Sequence, residues 1–386
     1  MEQLVKTMMQ LIKNEVCKHP LDDLGQDILS AEFFEKLYHV SKSQDLAHLV
    51  GAALVNNGLL PEGEIGKKFE KQMFSAVYRY QRLNYEYMRL CDTLETAKID
   101  YMPLKGSIIR EYYPESWMRT SCDIDILVHE EDLDRAVQAL CDTLEYRAEG
   151  ERYYHDISLY SPSGIHLELH FNILEHIEQI DGLLSRVWEF SKPIKGKQYA
   201  YRQTNEYLVF HCLAHMSYHF VKGGCGIRPF MDLHLLRTKM GYDEKKVRGF
   251  CRECGLERFY DSVLALSQVW FNQEKHSHIT ANMEEYLLTG GIYGSHQNVI
   301  TLAQEKKGGR RNYILFRIFM PYRDLKLQYP VLERHKWLLP ICHIRRWGRL
   351  LFCGRFKKSV KELKITKNVD TEKGRTFNDL FKELGF

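Results

Sequence analysis

Apolar positions along the first ninety or so residues recur at helical spacing. Leu46, Leu49, Val50, Ala53 and Leu54 line one side of a helix, and residues 69–94 form a long, aromatic-rich amphipathic run. The period changes near residue 98. Residues 100–104 (DYMPL) read as a short strand, and a helix is predicted over 108–113, stopping before Pro114. Residues 122–128 (CDIDILV) alternate strictly, as a half-buried strand does. A helix follows over 130–145, with acids in its first turn that suit the positive end of the helix dipole. Residues 153–160 and 165–171, on either side of Ser161-Pro-Ser-Gly164, read as a hairpin. Helical periodicity returns over 206–220, 230–240 and 257–271, with breaks at Gly223-Gly224 and at residues 307–310.

The expected fold is therefore α+β, a small mixed sheet flanked by helical regions. At 386 residues the chain exceeds one ordinary core. Four regions are expected: helices over 1–94, the α/β core over 95–200, a helical domain over 201–300 and a basic helical arm over 301–386.

Alternation also sorts the chemistry. Residues two apart in a strand point the same way, so Asp123 and Asp125 leave one face while Ile124 and Ile126 enter the core. In residues 165–170 (IHLELH) the same rule turns Ile165, Leu167 and Leu169 inward and His166, Glu168 and His170 outward. Neighbouring carboxylates repel unless a cation lies between them. Three together suit Mg²⁺ or Mn²⁺, which such sites hold together with substrate phosphates. Gly106-Ser107 follows a strand and opens a predicted helix, a place where backbone N–H groups can meet phosphate. Lys105, Arg110 and Arg119 lie near enough in sequence to add positive charge.

Taken in order, strand with Gly-Ser and helix, strand with Asp-x-Asp, helix, then strand with Leu-Glu-Leu, the pattern resembles the DNA polymerase β-type nucleotidyltransferase superfamily. More narrowly it is similar to a large bacterial family of uncharacterised nucleotidyltransferases. The matching segments are Leu104-Lys-Gly106, Arg119-x-x-x-Asp123-Ile-Asp125-Ile-Leu-Val128 and Leu167-Glu-Leu-His170. Further matches are His211-Cys-Leu-Ala-His215 with His219, Arg228-Pro-Phe-Met-Asp232, and residues 329–340 with Arg345-Arg346. The resemblance implies that Asp123 and Asp125 bind metal, that Glu168 is the third carboxylate beside the attacking hydroxyl, and that Gly106-Ser107 holds a triphosphate. Lys105 departs from the superfamily, which often places a small residue there. By the same resemblance the helical region forms an acceptor-side wall, which brings in His215, His219 and Asp232.

His211, His215 and His219 fall on one helical stripe without the Glu of a zinc-protease motif; packing histidines are the favoured reading over a direct role. Asp232 reads equally as a cap or a buried partner. The Arg228-x5-His234 spacing of some helical ribonucleases is expected by chance among so many Arg and His.

Composition refines this picture at a few points. Residues 301–386 carry 21 Lys and Arg against 8 Asp and Glu, which leaves the rest at −10 under a total of +3. Such an arm suits nucleic acid, anionic lipid or the chain's own acidic body, and within it the interleaved cations and Trp337, Trp347 and leucines favour a docking helix. Ten scattered cysteines with one Cys251-x-x-Cys254 pair and no second ligand pair predict reduced thiols, not zinc. The N-terminus lacks a signal-peptide pattern and no window has a membrane span, so the cytoplasm is expected. The expected activity is transfer of a nucleoside monophosphate from an NTP to a hydroxyl acceptor with two-metal catalysis and pyrophosphate release. The alternatives are a weak or inactive nucleotide-binding or interaction protein on the same fold, and a nucleic-acid-modifying enzyme using the basic arm.

Overall fold

A computed structural model describes residues 2–21, 24, 30–150, 152–289, 296–352, 366 and 371–386. Four helices lead: α1 (Glu2–Cys17), α2 (Ala31–Ser43), α3 (Ala47–Asn56) and the 33-residue α4 (Glu64–Thr96). Ser30 caps α2 by accepting a hydrogen bond from the Phe33 N–H. The α3 sequence is apolar on every side, and it is buried from Ala47 to Leu54 between α1 and α4.

The α/β core follows. Strand β1 (Tyr101–Pro103) leads into the five-residue helix α5 (Lys105–Ile109), continued by a 3-10 turn over Arg110–Tyr112. Gly106 and Ser107 thus lie inside a very short helix that starts earlier than its pattern suggests. Next come β2 (Asp123–Val128), α6 (Leu133–Leu144), β3 (Arg147–Ala148), β4 (Asp156–Tyr160) and β5 (His166–His170). The sheet order is β1-β2-β5-β4-β3, antiparallel except for the central parallel pair β2 and β5. The predicted hairpin is present, with both strands shorter than their apolar runs.

One sheet face is sealed by Leu83, Leu90 and Leu94 of α4 and by Leu133, Ala136 and Leu140 of α6. Ile124, Ile126, Leu167 and Leu169 supply the sheet's side of that core. The alternate residues therefore face the other way, toward the helical back half. That half begins after α7 (Glu178–Leu184) and the two-stranded ribbon β6 (Ser191–Pro193) and β7 (Tyr201–Gln203). It contains α8 (Asn205–Val221), α9 (Arg228–Leu235), α10 (Glu244–Glu253), α11 (Glu257–Asn272) and α12 (His278–Leu288). The predicted helix over 230–240 is α9 followed by a π turn over Leu236–Met240.

The main apolar core runs without interruption from Met8 and Leu11 of α1 through Leu127 of β2 to Phe210 of α8 and Phe259 of α11. Front and back helices thus share one core across the sheet's open side. The basic arm holds α13 (His296–Lys306), α14 (Arg310–Ile318), α15 (Tyr322–Gln328), α16 (Val331–Arg334), α17 (Leu339–Phe352) and α18 (Thr371–Leu384). α18 returns to pack on α13 and α12, and Phe377 and Phe381 join the main core. Trp347 docks α17 on α14 by donating to the Ile318 carbonyl at 3.0 Å, whereas Trp337 is exposed. The sequence beyond 352, including Cys353, lies largely outside the described residues. Cys251 and Cys254 are buried free thiols.

Candidate active site

The parallel register of β2 and β5 sets Asp123 beside His166, Asp125 beside Glu168, and Leu127 beside His170. Three carboxylates and two imidazoles are thereby gathered on the sheet's open face. Oxygen and nitrogen atoms of Asp123, His166 and Glu168 lie within 4.8 Å of one another, as do those of Asp125, Glu168 and His170. Asp123, Asp125, Glu168 and His170 form the floor of a cleft of about 360 Å³.

His170 ties this cluster together. Its Nε2 stands 3.2 Å from Asp125 Oδ1 and 3.5 Å from Glu168 Oε2. Burial alone lowers the His170 pKa, but hydrogen bonds to the two carboxylates outweigh burial and raise it to about 9. Asp125 feels the converse. Burial pushes its carboxyl up, yet the hydrogen bond and charge of His170, with Lys105 beyond, hold it well below the usual range. Asp123 has no such partner: burial first, then Asp125 and Glu168, raise it to about 6.

The donor chemistry fits a divalent cation. Three hard carboxylate oxygens converge with more negative charge than one imidazolium balances, and burial with the neighbouring Asp125 and Glu168 pushes Asp123 toward protonation. Imidazole nitrogens within reach suit Mn²⁺ at least as well as Mg²⁺.

This arrangement fixes a pH response. Because the folded-state pKa of Asp123 is raised, the folded protein binds this proton more tightly than the unfolded chain does. The contribution to stability therefore grows as pH falls through about 6 toward the unfolded value near 3.8, and is lost as pH rises again. Asp123→Asn should raise the melting temperature of the metal-free protein at pH 7–8, and the gain should vanish near pH 4. Cation affinity should move oppositely, weakening as pH falls through about 6. A melting difference independent of pH would contradict the assignment.

At the rim, Lys105 lies at φ +24°, a left-handed conformation rare for a side-chain-bearing residue and costly by about 1–3 kcal/mol. Lys105 and Gly106 line the cleft. A Cβ on Gly106 would sit 3.0 Å from Nη1 of Arg119, so glycine is what lets the loop lie against this guanidinium. Ser107 and Arg110 are placed differently from their sequence reading. Ser107 is buried and its N–H donates to the Leu104 carbonyl at 3.1 Å. Arg110 is buried behind the loop, donating from Nε to the Gly106 carbonyl and from Nη2 to Ser121 Oγ, each at 2.8 Å. Burial and the neighbouring Arg119 lower its pKa to about 10.

Arg119 is spent on Asp232. Its Nε and Nη2 donate to the two carboxylate oxygens at 2.9 and 2.8 Å, and Tyr113 Oη donates to the same carboxylate at 2.7 Å. Asp232 thus lies inside α9 as a buried partner, not as a helix cap. A second tie joins the front helices: Asp45 accepts from Arg228 and, at 2.7 Å, from the Thr120 hydroxyl.

The facing wall comes from α8. His211, His215 and His219 all line the cleft. His211 is fully buried, with Nδ1 on Gln203 and Nε2 left without a partner. His215 Nδ1 stands 2.6 Å from Oε1 of Glu175 and packs edge-on to His219 at 4.5 Å. Burial first, then Lys105, keep His215 well below its ordinary pKa, so it is neutral near pH 7. Asp45, Glu175 and His155 were not anticipated as site residues. Asp45 and Glu175 sit in irregular segments with no periodicity to mark them, and His155 immediately precedes a short strand.

The match that decides the family spans most of these elements. The family of uncharacterised nucleotidyltransferases matches residues 30–272, from the front of α2 to the end of α11. The chain belongs to that family. A nucleotidyl-transfer role follows at that general level, and no curated protein matches the chain. The matched span contains every residue of the cleft named above, whereas the basic arm lies outside it. No helix among the described residues is long and apolar enough to cross a membrane.

Proposed function

We propose that this nucleotidyltransferase moves a nucleoside monophosphate from an NTP onto a hydroxyl acceptor. The acceptor oxygen bonds to the α-phosphorus, the bond from that phosphorus to the bridging oxygen breaks, and pyrophosphate leaves. One observation carries the reading: the parallel register that gathers Asp123, Asp125 and Glu168 on the floor of a cleft whose other wall carries neutral histidines. Divalent cations held there would supply positive charge to the triphosphate and acidity to the acceptor hydroxyl.

The chain's own groups divide the remaining work. Asp123, Asp125 and Glu168 hold the cation site. Lys105 and the Gly106 backbone line the mouth of the cleft on the side where a triphosphate meets positive charge. Arg119 and Asp232 brace this loop from behind. The Glu175 carboxylate accepts the Nδ1–H of His215 on α8 and so leaves Nε2 with a lone pair. That nitrogen receives the proton of the acceptor hydroxyl as its oxygen attacks. The hydroxyl class of acceptor is supported by this neutral, oriented base.

The test is transfer of label from each α-labelled NTP with Mg²⁺ or Mn²⁺, with pyrophosphate release and binding followed together. Cation-dependent binding of one NTP, absent from Asp123→Ala/Asp125→Ala, supports the reading. Wild-type protein that binds no NTP sinks it. Glu175→Gln should leave NTP affinity within about twofold and lower kcat by about 10²-fold or more, since it disturbs only the acceptor-side base. Equal losses in NTP affinity and kcat would instead place Glu175 on the donor side.

A further inference from the structure

The outer face of α4 carries a row of large exposed side chains on which no other described element packs, with Arg82 and Arg89 of the same helix standing over the Tyr78 and Tyr85 rings at 5.7 and 5.4 Å. Phe74, Tyr78, Tyr85 and Met88 are 73, 55, 62 and 58 % exposed. With Gln81 between them, they follow steps of four, three, four and three, a single seam along one face of a helix. The remaining α4 faces are accounted for by packing on α2, α3 and α6. A contiguous apolar stripe of this kind marks an interaction surface.

Its ends identify the partner. The same spacing continues to Lys71 and Lys67 in one direction and to Asp92 and Glu95 in the other. Lys67 is paired with Glu64 at 3.0 Å and Glu95 accepts the N–H groups of Gln198 and Tyr199, so Lys71 and Asp92 carry the charge order. Within this seam a lysine toward the N-terminus and an acid toward the C-terminus are the reverse of what the helix's own dipole favours, although the first turn itself carries Glu64. The arrangement therefore asks for charge of the opposite order alongside it. An antiparallel copy of the same helix supplies that order. About Gln81, Phe74 and Met88 lie seven residues to either side, Tyr78 and Tyr85 three and four, and Lys71 and Asp92 ten and eleven. The Asp92 side chain is 72 % exposed, with Lys197 3.3 Å away as a local neighbour. A parallel copy would set lysine against lysine and acid against acid.

We propose that α4 is a homodimerisation helix, packing antiparallel on α4 of a second copy about a two-fold axis near Gln81. The interface is isologous: Phe74 meets the Met88 end of the other helix, the tyrosines meet at the centre, and Lys71 faces Asp92 at both ends. Gln81 provides a polar centre that sets the register.

Sedimentation equilibrium of the full chain over a wide concentration range tests this. A mass of two chains is expected. Tyr78→Asp/Tyr85→Asp should give a monomer with unchanged circular dichroism, since both side chains are exposed, and with a melting temperature that no longer depends on protein concentration. Lys71→Glu should raise the dimer dissociation constant at least about tenfold, and adding Asp92→Lys should restore it. A monomer at every concentration, as expected if the stripe serves a different protein, overturns the proposal. So does a dimer that survives the tyrosine variant, or a charge reversal that the second reversal fails to repair.

Discussion

Asp125→Asn should abolish cation-dependent NTP binding and lower transfer by about 10³-fold or more while the chain stays folded. The expectation rests on what Asp125 touches. It is the central carboxylate, paired in register with Glu168 and bonded to His170. His170 is held cationic only by Asp125 and Glu168, so removing one carboxylate charge lowers the pKa of the imidazole as well as weakening the cation site. An amide keeps the shape and one hydrogen-bonding oxygen, which separates lost charge from lost packing. Isothermal titration with Mn²⁺ and NTP, beside a melting curve, reads both. Wild-type binding in the variant would mean that cation and nucleotide lie elsewhere. Loss of folding would mean that Asp125 serves chiefly to neutralise His170.

The contents of this cluster were legible before its geometry was. Period-two alternation in residues 122–128 and 165–170 gave the face of every carboxylate, because one sheet surface had to be apolar to pack on α4 and α6. What alternation cannot give is which strands pair. The parallel neighbouring of β2 and β5, which sets Asp125 beside Glu168, follows from the α6 crossover and the later hairpin.

In sequence Gly106-Ser107 opens a helix straight after a strand, and α5 does begin there, at Lys105. The Gly-Ser pattern suggested a serine facing phosphate. In the structure the very short α5 folds Ser107 inward, and Arg110 braces the carbonyl of Gly106. Helical periodicity marked His215 and His219 but gave no sign of Glu175, whose contact with His215 spans 40 residues and depends on where the chain leaves β5.

The same long-range logic governs Arg119 and Asp232, the second large effect. Both side chains are nearly buried, at 10 and 7 % exposure, and their contact is a two-pronged charge-assisted bond across 113 residues of sequence. A buried pair of this kind gains little over an apolar pair of the same volume, but removing one member strands the other charge, nearly buried at the wall of the cleft, without its partner. Asp232→Ala should therefore cost about 3–5 kcal/mol of stability, seen as a lowered urea midpoint. It leaves the Arg119 guanidinium and the Tyr113 hydroxyl without their acceptor and frees a cation into the cleft beside Gly106. Arg119→Met/Asp232→Leu should recover most of that stability, because neither charge then remains to be solvated. Activity should part from stability in the double variant. Without the guanidinium, the Gly106 loop loses the side chain it lies against, so the KM for NTP should rise even where the fold is restored. A double variant that recovers both stability and KM would show that the pair fastens α9 to the core and does nothing further for the nucleotide.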